Sequence, residues 1–337
     1  MNWFETKIRR YEHMRWAQET GRRVLPFAWG LEHIGGNSTD PDPRGFLNRF
    51  IDQTVARSDE WFAVTPPHDY ELRDNTLMFT SQITSPWREN NRVFGQLFRA
   101  RRKGPAVVVL AQWNARWEEQ QDICRWLARL GITAIKMSLP YHDRRAIPGH
   151  PRADHLVGPN IGLTLQANRQ AVVDVRRALL WLAREGYDRL GILGTSVGSA
   201  ISFVTICHEP LLRAGAFLHV ATYYGDVVAN GLTTMNVWES LRQKVSPEEL
   251  QHFWSPISPF AYISKLSGTG KKVLAISGRY DPTFWPEFTD AFLREITRDG
   301  LHAKSMALPC GHYSLGVAPF KYAVGVRFIS FLRRTLS

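Results

Sequence analysis

Apolar residues fall into two rhythms along this chain. Short apolar runs, predicted as strands over 76–83, 92–98, 106–110, 132–137, 190–193, 214–220, 272–276 and 304–308, alternate with segments of helical period. The helices are expected over 115–130, 166–185, 197–207, 286–297 and 320–332. In the second of these, Val172, Val175, Leu179 and Leu182 share one face. Gly131 and Gly186 stand where helix ends need a left-handed residue. Two early strands followed by strictly alternating units predict an α/β protein: a mostly parallel sheet flanked by helices. The rhythm breaks over about 222–265, read as a cap insertion, inside which Ser246-Pro247-Glu248-Glu249 starts a helix. Residues 1–67 form a helical N-terminal extension: Phe46, Leu47, Phe50, Ile51 and Val55 recur at helical spacing, and Pro66-Pro67 closes the segment. The main domain is expected over 68–337. No internal repeat is visible.

Composition narrows the classes. Hydrophobic residues make up 44% and charged residues 22%, which excludes a disordered chain. The longest apolar run, 106–111, is far too short for an integral membrane segment. The start lacks an apolar signal region, and Pro26 spoils a twin-arginine reading of Arg22-Arg23. Cys124, Cys207 and Cys310 are too few and too scattered for a disulfide framework or a zinc ribbon, so a reduced, cytoplasmic setting is expected. The net charge of +11 is spread along the chain, with one short cluster at 99–103 and no nucleic-acid-binding motif. We therefore expect no nucleic-acid partner; the charge serves solubility and attracts anions.

The chemistry concentrates in Gly194-Thr195-Ser196-Val197-Gly198, which follows an apolar strand and opens a helix. A nucleophile held in a sharp strand-to-helix turn brings the residues two before and two after it close together, so both must be small. Ser196 would then project at a helix N-terminus, where main-chain N–H groups favour developing negative charge. A phosphate loop competes poorly, because no Gly-Lys-Ser/Thr follows the strand. A serine nucleophile needs a base, and the base needs an orienting acid. Asp281, in Gly278-Arg279-Tyr280-Asp281, and His312, in Cys310-Gly311-His312, each follow a predicted late strand. Asp226 is the reserve acid. The oxyanion hole is expected from the N–H groups of Val197 and of Trp113, the latter in the loop after the 106–110 strand.

With these motifs in place the chain, from about residue 76 to its end, resembles the alpha/beta-hydrolase superfamily. Gln112-Trp113-Asn114 and Leu139-Pro140-Tyr141-His142-Asp143-Arg144-Arg145 look like the alpha/beta-hydrolase domain-containing protein 18 branch. The resemblance implies an alpha/beta-hydrolase fold and a Ser-Asp-His mechanism without a cofactor. One departure is that Ala111-Gln112 stands where many members carry His-Gly. The expected activity is carboxylic ester hydrolysis through an acyl-enzyme on Ser196. A peptidase or acyltransferase with the same triad, or a silent binding scaffold, are the alternatives. The substrate is expected to be a small ester with an apolar part, admitted under the cap, with Gln112, Tyr223, Trp238 and Trp254 as binding residues. Arg144 and Arg145 are read as salt-bridging rather than anion-binding. His142, Asp143, His150, Asp154 and His155 match no metal spacing, so no metal is expected. Oligomeric state is not legible.

Overall fold

A computed structural model describes residues 3–150, 152–301 and 303–337. Nine strands form one sheet: β1 Glu71–Arg73, β2 Thr76–Thr80, β3 Arg92–Phe98, β4 Ala106–Leu110, β5 Thr133–Met137, β6 Leu190–Thr195, β7 Leu212–Leu218, β8 Lys272–Gly278 and β9 Ala303–Leu308. Their order across the sheet is β1-β2-β3-β5-β4-β6-β7-β8-β9. The first three pair antiparallel, as does β3 with β5; every pair from β5 to β9 is parallel.

Helices cover both faces. They are α1 Trp3–Gln18, α2 Pro43–Ala56, α3 Ser58–Trp61, α4 Gln121–Arg129, α5 Ile161–Arg184, α6 Val197–His208, α7 Tyr224–Asn230, α8 Met235–Leu241, α9 Pro247–Phe253, α10 Pro286–Arg298 and α11 Phe320–Leu336. The all-apolar run of β4 is explained by this double cover. Val108 and Leu110 point into the core shared with α5 and α6, while Val107 and Val109 join Cys124, Leu127, Phe328 and Leu332 of α4 and α11.

The predicted elements are present with shifted ends. The helix expected from 115 begins only at Gln121, because Asn114 and Gln120 adopt positive φ and 115–120 runs as turns. Conversely α5 starts five residues earlier than expected, where the Asn160 side chain accepts the Leu163 N–H. The short edge strand β1 had no apolar run to announce it. Within the cap, α9 carries a full capping box between Ser246 and Glu249.

The chain reverses direction across the sheet at β4: β5 lies on one side of it and β6 on the other. In open α/β sheets such a switch point leaves a crevice at the strands' carboxyl ends. The register Leu110↔Gly194 brings the loops after β4 and β6 side by side at that crevice.

Candidate active site

Five strand ends build the site. At the end of β6, Ser196 has φ 56° and ψ −121°, a conformation costly for any residue with a Cβ. The turn closes because its flanks are bare. A Cβ on Gly194 would lie 2.2 Å from the Gly198 carbonyl oxygen, and one on Gly198 would lie 2.5 Å from that of Ala111. The Ser196 N–H donates to Leu218 O (2.8 Å), and the Ser199 hydroxyl donates to Gly194 O (2.8 Å) and Leu218 O (2.7 Å), fixing the turn against β7.

Asp281 follows β8 and is fully buried. Its Oδ1 accepts the N–H groups of Thr283 (2.7 Å) and Phe284 (2.9 Å), and its Oδ2 accepts from His312 Nδ1 at 3.2 Å. Burial alone would raise this carboxyl, but His312 and then His219 hold it well below the usual carboxylate range. His312 follows β9, stacked parallel on Phe284 with ring centroids 5.7 Å apart. Burial alone would lower its pKa; Asp281 outweighs that, and the net shift is upward. With Nδ1 committed to Asp281, Nε2 is the ring nitrogen left to take a proton.

His219, directly after β7, went unnoticed in the sequence. It has φ 60°, and its Nδ1 lies 2.8 Å from Asp281 Oδ2 without hydrogen-bond alignment. Its ring centroid is 4.4 Å from that of His312, and burial followed by the neighbouring His312 lowers its pKa. The signal is a histidine at a strand end, concealed because apolar residues resume at Val220 and extend the apparent strand past Leu218. The donor atoms of His219, Asp281 and His312 lie within 4.8 Å of one another. Both Asp281 oxygens are already engaged, so we read the cluster as one carboxylate serving two imidazoles.

The β4 loop completes the crevice. No hydrogen bond among the described residues takes up the main-chain N–H of Trp113 or of Val197, the first residue of α6. This loop is braced from behind. Asn114 N–H donates to His142 Nε2 (2.9 Å), His142 Nδ1–H donates to Pro140 O (2.8 Å), and the Trp113 indole donates to Ala153 O (3.0 Å). Burial pushes His142 down to about 4, so it stays neutral.

Ser196, Val197, His312, His219, Gln112, Trp113 and Tyr223 all line one open cleft of about 2080 Å³. Gln112 faces it while bonded to Glu119 and Gln120. Trp254 and Trp238 do not belong there. Trp254 is wholly buried in the cap against Tyr224, and Trp238 lines a separate depression with His13 and Trp285. Tyr224, Val227 and Val228 form the cleft wall instead. Asp226 faces Gln251, away from the histidines. Arg145 is buried in a salt bridge with Asp174 (2.9 Å), as expected, whereas Arg144, expected to salt-bridge too, forms no ion pair among the described residues and lies over Phe94 and Trp117.

No family model matches the chain. Provisionally named carboxymethylenebutenolidases of Yersinia pestis and Salmonella typhi are each 31% identical to it, over 126 and 137 residues, 37% and 39% of the chain. The chain spans less than half the length of these curated relatives, 44% and 46%. Among solved structures, acylaminoacyl peptidase of Pyrococcus horikoshii matches 79% of the chain and 42% of its own length, with TM-score 0.62 and 14% identity. The Pyrococcus furiosus esterase matches 80% of the chain and 92% of its own length, with TM-score 0.55 and 14% identity. The chain therefore has the alpha/beta-hydrolase fold. Its neighbours within that fold include an acylaminoacyl peptidase and an esterase.

Proposed function

We propose that the protein hydrolyses carboxylic esters through an acyl-enzyme on Ser196. One observation carries this reading: a serine forced into a strained turn at a helix start shares a cleft with a histidine hydrogen-bonded to a buried aspartate. The esterase neighbour and the carboxymethylenebutenolidase names of the partial relatives support it.

His312 Nε2 takes the Ser196 hydroxyl proton as Oγ attacks the ester carbonyl carbon. The carbonyl oxygen becomes an oxyanion between the N–H groups of Val197 and Trp113; losing one such donor typically costs about 10²–10³ in rate. Asp281 holds the Nδ1–H tautomer and stabilises the imidazolium. His312 then gives its proton to the departing alkoxide as the C–O bond breaks. Water, deprotonated by His312, attacks the acyl-enzyme, and Ser196 regains its proton as the acid leaves. No cofactor enters these steps. The apolar part of the substrate would lie against Tyr223, Tyr224, Val227 and Val228.

Fluorophosphonate labelling with a p-nitrophenyl ester panel tests the reading. Wild type should label and turn over, and Ser196→Ala should do neither while melting cooperatively. Covalent labelling at another serine would remove the assignment. A wild-type protein that never labels would favour the silent-scaffold alternative.

A further inference from the structure

Helix α1 poses a problem of its own. Over its 16 residues the one buried side chain is not apolar but the carboxylate of Glu12, wholly out of solvent. A helix that docked for hydrophobic burial would bury an apolar stripe. Burying a carboxylate is costly unless it is hydrogen-bonded, so its partners explain its position. Glu12 Oε2 accepts the Tyr313 N–H at 2.7 Å, and Oε1 accepts the Ser314 N–H at 2.9 Å. These are the two peptide groups directly after His312. The contact is close enough that a Cβ on Gly311 would lie 2.5 Å from the Glu12 carboxyl carbon. Glu19, at the end of the same segment, accepts the Tyr313 hydroxyl at 2.8 Å. Among the described residues Glu12 forms no ion pair, whereas Glu19 is 2.7 Å from Arg22.

We propose that Glu12 is a positioning residue for His312, clamping the loop after β9 so that the imidazole is aimed at Ser196, and that α1 is thereby a working part of the site. The proposal rests on His312 being the base. Two effects follow from one carboxylate. Its bonds fix the main chain next to the base, where a displacement of about 1 Å can cost about 10² in rate. Its charge stabilises the imidazolium, in the same sense as Asp281 and Glu19. The groups facing His312 are Asp281 from the β8 loop, His219 from the end of β7, Glu12 and Glu19 from the N-terminal segment, and Tyr313 beside it.

Glu12→Ala, Glu12→Gln and Ser196→Ala are to be compared with wild type by melting temperature, kcat, KM and the pH profile of kcat/KM. Glu12→Ala should lower kcat by about 10-fold to 100-fold with KM nearly unchanged. The acid limb should move to lower pH, because a negative charge near the imidazolium is gone. Glu12→Gln keeps one acceptor and loses the charge. It should recover much of kcat while its acid limb stays displaced, a split that loss of folded protein cannot produce. If Glu12→Ala does not fold, Glu12→Gln decides by its acid limb. Wild-type kcat and an unmoved limb in folded variants would overturn the proposal, leaving the serine reading intact if Ser196→Ala is dead. Full activity in Ser196→Ala would overturn both.

Discussion

Asp281 accepts two main-chain N–H groups on one oxygen and faces two imidazoles with the other. Such a carboxylate stays ionised throughout the working range, so it orients His312 without competing for the proton. Asp281→Asn should therefore cut kcat by several orders of magnitude with little change in KM, since the amide favours the wrong tautomer. Asp226→Asn should remain near wild type, its partner being Gln251. Reversed results in a steady-state assay would move the acid to α7. On the proposed mechanism His312 sets the pH response. His312 must be neutral to accept a proton, and its pKa lies above the ordinary histidine value. Activity should thus rise with pH through a limb above about 6.5; a limb well below that in kcat/KM would contradict the geometry. At this scale the sequence was legible where chemistry sits in a local motif. Ser196 had its glycines, and Asp281 and His312 each had a strand end before them. His142 and Glu12 had no such signal: the first acts through Asn114 and the second through Tyr313, partners that only the fold supplies.

At the scale of elements, α7 and the residues before it supply one wall of the cleft. The cap's apolar residues divide into those that hold it together and those that face the cleft, and composition alone could not sort them. Trp254 is core, locked edge-on to Tyr224; Val228 on α7 lines the cleft. Trp254→Ala should therefore cost about 3–5 kcal/mol of stability, read from denaturant midpoints, and leave acyl preference alone. Val228→Trp should change acyl preference, at some cost in stability because Val228 is also packed in the core. In wild type, kcat/KM for p-nitrophenyl esters should climb roughly fourfold per methylene, about 0.8 kcal/mol each, until the pocket fills. The bulky variant should shorten the optimum chain. A preference unchanged by Val228→Trp would take the acyl group away from α7. The late start of α4 belongs here too. Residues 115–120 have helical composition, but Gln120 is turned to positive φ and bonds Thr195 beside the nucleophile (2.9 Å), a local cost sustained by the site.

For the whole molecule, histidines withdrawn from solvent should weaken the fold in mild acid. Burial pushes His142, His155 and His208 each to about 4. Unfolding returns them to about 6.5, so between pH 6.5 and 4 the unfolded chain binds protons that the folded chain refuses. Stability should fall as pH drops through that window. His312 opposes the trend, since its raised pKa adds stability at low pH that is lost as pH rises through the folded value. Among the histidines it is one against five, because burial lowers His33 and His219 as well. Melting temperatures measured from pH 7 to 4.5 should decline steadily, and a flat series would show the histidines to be less buried than the fold requires.

The clamp between Glu12 and Tyr313 has a further consequence, in the order in which the protein is made. The two residues are 301 positions apart. Synthesis delivers Glu12 before Ser196 and Ser196 before His312. A growing chain that has passed Ser196 but not His312 carries a serine with no partner to activate it, and a glutamate with no loop to hold. On the proposed mechanism the cleft is thus complete only when α1 meets the loop after β9, and a translation product interrupted before residue 312 should be inert.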